Sequence, residues 1–408
     1  MRDWKEYTIN EIAEVTSSKR IFLSDYVSEG IPFYRSKEVI EKSNGNDISL
    51  ELFIRKEQFE NIKGKFGAPE ENDILLTSVG TIGVPYKVRK DELFYFKDGN
   101  LTWIRKFKGE ADPSFLLHWL KSELGQQKIL QNTIGSSQPA LTIAAIKKIK
   151  LQLPPLPTQQ RIASILSAYD DLIEVNNRRI KLLEETAREL YKEWFVRMRF
   201  PGYKDAKFVK GVPEGWEVKR IAEVFEILGG GTPSTAKPEY WDGNVNWFTP
   251  TDITGASGIF LSESSNKISE QGLKESSAKL FPPYSIMMTS RATIGAVGIN
   301  TMPGCTNQGF ITCLPNKNIP YTFLYFWILM NKEIFEMLGT GSTFLEITKG
   351  TFKKIKMLLP KSEVLNQYHK VAEPMFQQIE ILQQQNTQLR QIRDRLLPRL
   401  ISGKLEVK

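Results

Sequence analysis

The chain has 408 residues, of which 41% are hydrophobic and 25% charged, a globular balance with room for two or three domains whose cores need no cross-links. Its formal net charge of +8 favours a polyanionic partner, while its two cysteines, Cys305 and Cys313, make no disulfide framework and have no neighbouring Cys or His pair for a four-ligand zinc site. No uncharged apolar run approaches the ~20 residues that span a bilayer, and Met1–Glu6 is charged without a signal-peptide apolar stretch, so a reducing cytoplasm is the expected location.

Residues 1–155 read as a first module. Short runs rich in Ile, Leu, Phe and Thr, bounded by Gly, Asn and Pro, predict strands, with Ile74–Ser78 the clearest. The stretch Phe115–Leu130 carries helical spacing. A Gly135-Ser136-Ser137 turn and a basic strand, Lys147-Lys148-Ile149-Lys150, lead to Pro154. Residues 156–200 then change pattern: no Gly or Pro follows Pro157 until Pro201, and apolar residues at 162, 165, 169, 172, 180, 183, 187, 190 and 194 alternate mostly by three and four. That is the stripe of a coiled-coil seam, interrupted by Asn176 and Asn177.

The same succession returns over residues 201–360 and 361–408. Ile12–Val15 recurs as Ile221–Val224, and Ile31–Tyr34 aligns with Val245–Phe248. Ile74–Gly83 matches Ile286–Gly295 at six of ten positions, and Lys147–Lys150 recurs as Lys353–Lys356. Offsets between 206 and 214 keep the order while loops differ. A second long helix is expected after Pro360, with Pro374 inside it predicted to kink or restart it by removing an amide donor and crowding the preceding turn. Neither stripe is apolar all round, so the two helices are expected to pack on each other. The expected fold is α+β: two repeated modules joined by two long helices packed as an antiparallel coiled coil.

Catalytic constellations do not emerge. His118 and His369 have no repeat counterparts of the same type, and structural roles are expected for both. Gly229-Gly230-Gly231-Thr232 leads into Pro233 rather than a phosphate-cradling helix and reads as a flexible loop. Phe281-Pro282-Pro283-Tyr284 resembles an amino-methyltransferase motif but lacks the hydrogen-bond acceptor before the prolines, so it reads as a turn.

A binding surface remains. Arg35, Ser36 and Lys37 align with Thr249, Pro250 and Thr251, Val79 with Arg291, and Gln138 with Phe344. A constant framework with varied polar positions is what two readers of different sequences require. Arg35, Ser36, Lys37, Ser78, Ser137, Gln138, Thr249, Thr251, Arg291, Gln308 and Thr343 carry side chains able to hydrogen-bond base edges. Lys147, Lys148, Lys353 and Lys354 suit phosphates. The plainer reading of these lysines is a solvated face.

At this point the chain resembles the specificity subunit of a type I restriction–modification system, over nearly its whole length. The resemblance rests on Leu153–Ala163, on Asp170–Ile173, Leu182–Glu184 and Leu190–Phe195, and on the terminal Leu396–Leu405. It implies two target-recognition domains, each reading half of a bipartite DNA sequence, with the helices between them setting the spacing. It also implies that catalysis lies elsewhere: two methyltransferase subunits using S-adenosylmethionine to modify adenine, and two motor–nuclease subunits using ATP and Mg. No cofactor is expected in this chain, and double-stranded DNA is its expected ligand. A specificity protein of a type IIB-like or solitary methylation system shares these residues, as does a coiled-coil scaffold binding protein.

Overall fold

The computed structural model describes residues 3–46, 48, 50–135, 139–341 and 344–407. It divides into two compact units, residues 1–175 with 386–408, and residues 176–385.

In the first unit, Lys5–Thr8 pairs antiparallel with Lys150–Leu153. The strand Lys150–Leu153 alternates, with Leu151 and Leu153 buried and Lys150 and Gln152 outward, as a half-covered strand must. A four-stranded antiparallel sheet follows the order Glu14–Thr16, Leu101–Arg105, Ile74–Thr77, Pro85–Lys87. Its third strand is covered on both faces, which is why Ile74-Leu75-Leu76-Thr77 is a run rather than an alternation. A second sheet contains Tyr26–Val27, Phe53–Ile54, Ile31–Tyr34 and Tyr95–Phe96, the last two parallel.

The second unit repeats this plan. Glu217–Arg220 pairs with Lys356–Leu359. The large sheet runs Glu226–Gly229, Phe310–Leu314, Ile286–Thr289, Val297–Asn300, with Phe260–Leu261 added at the edge. The smaller sheet contains Asn266–Ile268, Trp241–Phe248 and Gly304–Thr306. The duplication therefore extends to strand order.

Three sequence expectations change. The helical stretch Phe115–Leu130 is two helices, Pro113–Lys121 and Glu123–Gln131. Ser122 ends one and caps the next, accepting from the Gly125 amide, and Gly125 packs so closely that a Cβ would lie 2.0 Å from the Trp119 carbonyl oxygen. The second unit breaks likewise at Asn331, between Tyr321–Met330 and Lys332–Met337. The basic strand is also not one element. Lys147 and Lys148 close a short helix, Ile143–Lys148, and Lys353 ends its counterpart Lys349–Lys353, before the strands begin at Lys150 and Lys356. A threonine starts each of these helices, Thr142 accepting from the Ala145 amide and Thr348 from the Thr351 amide.

The long helices span Leu156–Tyr191, continued by a π-helical turn Lys192–Val196, and Ser362–Ile401. The second runs through Pro374 without a restart. Pro374 lies on an exposed face, where solvent can take up the carbonyl left without its amide partner. In the first unit Ile162, Ala163 and Leu166 share a core with Leu400 and Ile401, and Asp170 accepts from Arg393 at 2.5 Å. Early residues of one helix meet late residues of the other, so the segments run antiparallel. In the second unit Tyr191 and Trp194 pack against Tyr368, and Ile180 and Ala187 share a core with Ala372, Phe376 and Ile379, again antiparallel.

Candidate nucleic-acid interface

The strongest repeat in the sequence builds a loop-closing device. The Val84 amide donates to Thr77 Oγ1 (2.9 Å) and the Gly83 amide to the Thr77 carbonyl (2.8 Å). The Ala296 amide donates to Thr289 Oγ1 (3.0 Å) and the Gly295 amide to the Thr289 carbonyl (2.9 Å). Both glycines are left-handed, with φ of 87° and 83°, which explains their place in the motif. One residue on, the Ser78 amide donates to the Asn100 carbonyl and the Ser290 amide to the Gly309 carbonyl, each at 2.8 Å. The carbonyls of Ser78 and Ser290 accept from Leu141 and Ile347, each at 2.9 Å. The tips 79–81 and 291–293 are thus held by the same bonds but carry different side chains.

This geometry corrects the reading of Ser78. Its side chain is buried and shares a 2.8 Å hydrogen bond with Thr102 Oγ1, so it braces the sheet rather than facing a ligand. Arg35 and Thr249 occupy matched positions before short helices. The Arg35 amide donates to Glu38 at 2.7 Å and the Thr249 amide to Asp252 at 2.6 Å. Their side chains diverge. The Arg35 guanidinium is clamped by Glu38 (2.6 Å) and Glu51 (2.8 Å), and Lys37 also reaches Glu51 (2.9 Å). Those contacts hold Glu51 below the usual carboxylate range. Ser36 Oγ is buried without a hydrogen-bond partner among the described residues. Thr249 Oγ1 bonds Asp252 and shares a hydrogen bond with Thr251.

In the second unit several predicted residues converge. Gly309 has no side chain, and a Cβ there would lie 3.3 Å from Arg291 Nε, 3.0 Å from Asn307 Oδ1 and 3.3 Å from Pro250 Cγ. Arg291 therefore adjoins the 249–251 turn and the 307–309 loop. Gln308 is tied to Thr232 across that loop. Among the described residues Arg291, Lys147, Lys148, Lys353 and Lys354 enter no side-chain ion pair, in contrast to Arg35 and Lys37. Ser137, Gln138 and Thr343 lie outside the described residues.

Sequence reading missed Thr232, Lys349 and, in the first unit, Arg20 with Asp98. Arg20 Nε donates to Asp98 at 2.9 Å, and in the second unit Thr232 bonds Gln308. The glycine triplet was the available signal. It is not an open loop: a Cβ on Gly230 would lie 1.9 Å from the Asn307 carbonyl oxygen, and one on Gly231 2.1 Å from Ser277 Oγ. A Cβ on Gly229 would lie 3.5 Å from Lys349 Nζ. Glycine there permits close approach of two backbones.

Both histidines are structural in their contacts. Buried His118 meets Ser167 at 3.1 Å, and burial pushes its imidazole down to about 4. His369 meets Thr322 at 3.0 Å. Cys305 and Cys313 are buried free thiols, and burial pushes Cys305 up to about 12. Phe281 forms a bridge with Gly304, consistent with the turn reading of the Phe-Pro-Pro-Tyr run. No helix is long and apolar enough to cross a membrane, among the described residues.

The duplicated framework with diverged tips is that of the type I restriction modification DNA specificity domain, which matches residues 1–185 and 213–391, and the chain belongs to this family. As a specificity protein of such a system, it recognises DNA targets. It is 24% identical to the type I restriction enzyme HindI specificity subunit of Haemophilus influenzae, over 99% of this chain and all of that one. It is 28% identical to the MjaIX specificity subunit of Methanocaldococcus jannaschii, over all of this chain and 94% of that one. The fold matches the S subunit of a type I restriction–modification system from M. genitalium, with a TM-score of 0.63 at 17% identity, covering 98% of this chain and 96% of that one.

Proposed function

We propose that this chain reads a bipartite sequence in double-stranded DNA, one half with each unit, and brings two adenine methyltransferase subunits and two motor–nuclease subunits to it. Chemistry then belongs to the partners, which carry S-adenosylmethionine, ATP and Mg, and the complex acts in the cytoplasm. The observation that carries this reading is the pair of loop tips, closed by the same hydrogen bonds on Thr77 and Thr289 yet bearing Val79 in one unit and Arg291 in the other. One head recognising a few base pairs discriminates weakly, since each mismatch costs about 1–3 kcal/mol. Two linked heads multiply their selectivity. The lysines at 147, 148, 353 and 354 supply the sequence-independent, salt-sensitive part of binding.

Methylome sequencing of cells expressing this chain with its methyltransferase tests the proposal. A motif of two short fixed halves separated by unspecified bases is expected, and methylation without such a motif would refute it. Removing seven residues from a long helix should change the permitted spacer length. Binding to duplex DNA should weaken steeply with added salt.

A further inference from the structure

We infer that Arg291 reads a guanine in the half-site of the second unit, and that the residue pair 291/309 sets this preference. The inference rests on the DNA-reading function proposed above and goes one step further, to a base.

Arg291 is partly exposed at the first position of a loop whose backbone is fixed on both sides. Before it, the Ser290 amide and carbonyl are held by Gly309 and Ile347. After it, the Ala292 amide donates to the Leu345 carbonyl at 3.1 Å, and Arg291 itself bridges Glu346. A side chain on such a mount has its stem placed before any ligand arrives. Its guanidinium is uncommitted among the described residues, whereas Arg35 is spent on two carboxylates.

The room for it is built in. Position 309 is glycine, and any Cβ there would crowd Nε at 3.3 Å. The first unit shows the alternative at the same place. Val79 replaces the arginine, and the residue whose carbonyl holds Ser78 is Asn100, exposed and without a side-chain hydrogen bond among the described residues. A large side chain at one position accompanies none at the other, and a small one accompanies an amide. This reciprocal exchange on a shared scaffold is expected of a position under selection for different ligands. It is not expected of a phosphate contact, which both heads would need equally. An unpaired guanidinium offers a planar fork of donors, matching the two acceptors, O6 and N7, on the major-groove edge of guanine.

The test uses the full chain co-expressed with its methyltransferase, read by methylome sequencing, with R291Q, R291K and the double variant V79R/N100G. The unmodified chain should give a bipartite motif with an obligatory guanine in one half. R291Q should relax or change that single base, with preference for guanine falling roughly 10- to 100-fold, and leave the other half intact. The double variant should introduce a guanine preference into the other half. A bipartite motif with R291Q unchanged at every position would overturn the inference while leaving the proposed function standing. So would uniform loss of methylation at all sites with the motif preserved in R291Q and R291K, which marks a phosphate contact. Absence of any bipartite motif for the unmodified chain would instead strike the proposed function.

Discussion

His118 shows what a single buried group contributes. Its imidazole is depressed to about 4 from an ordinary 6.5, chiefly by burial, with the Asp170 carboxylate opposing. The unfolded chain takes up this proton more readily than the folded one. Its contribution is therefore complete above pH 6.5 and is lost as pH falls toward 4, on the order of 3 kcal/mol in all. Asp73 acts in the opposite sense. Burial raises it to about 6, so its contribution is present below 3.8 and lost as pH rises through 6. The two windows overlap, so the clean measurement is a difference. Denaturant unfolding of H118Q and the unmodified chain, compared from pH 7.5 to 4.5, should show the variant losing less stability on acidification. Parallel curves would show that His118 does not titrate as its burial requires.

At the scale of elements, the two units solve one packing problem with different chemistry. Where the first unit sets His118 and Asp170 near Arg393, the aligned positions of the second are Phe326 and Phe376. Phe376 is fully buried, with ring centroids 5.5 Å from Tyr321, 5.7 Å from Tyr325 and 5.7 Å from Phe326. It fastens the second long helix to Tyr321–Met330. F376A should cost about 3–5 kcal/mol from lost burial and the cavity left behind, measured by thermal or denaturant unfolding. A cost under 1 kcal/mol would mean that the aromatic cluster closes around the gap. The sequence showed the seam but not this asymmetry, because helical spacing reveals which face is buried and not what lies opposite.

At the scale of the molecule, the first unit is assembled from both ends of the chain. Leu400 and Ile401 are buried in the core formed by Ile9, Phe115, Leu151 and Ile162, with Leu396, Leu397, Leu405 and Val407 packed around it. Fully burying each such side chain is worth about 1.5–3 kcal/mol, against a whole-domain stability of about 5–15 kcal/mol. Truncation after Gln385 should therefore loosen the first unit selectively. Hydrogen exchange at Lys5–Thr8 and Lys150–Leu153 should quicken while Glu217–Arg220 and Lys356–Leu359 keep their protection. Equal protection in both pairs would contradict this assembly.

The sequence determined the duplication, the sheet-and-helix modules, the two long helices and the family, because hydrophobic periodicity and repeated motifs are properties of neighbouring residues. Comparing the two copies singled out Arg291 as a candidate. Tertiary structure decided what the candidate side chains touch within the chain. Ser78 is buried against Thr102, Arg35 and Lys37 are neutralised by Glu38 and Glu51, and the glycine triplet is packed rather than open. Each of those outcomes depends on a partner 14 or more residues away in the chain or on a bond within a helix start whose strength depends on surrounding burial. Local pattern carries neither. The framework was legible because it repeats, and the availability of its side chains was not, because hydrogen bonding and burial are settled only when distant segments meet.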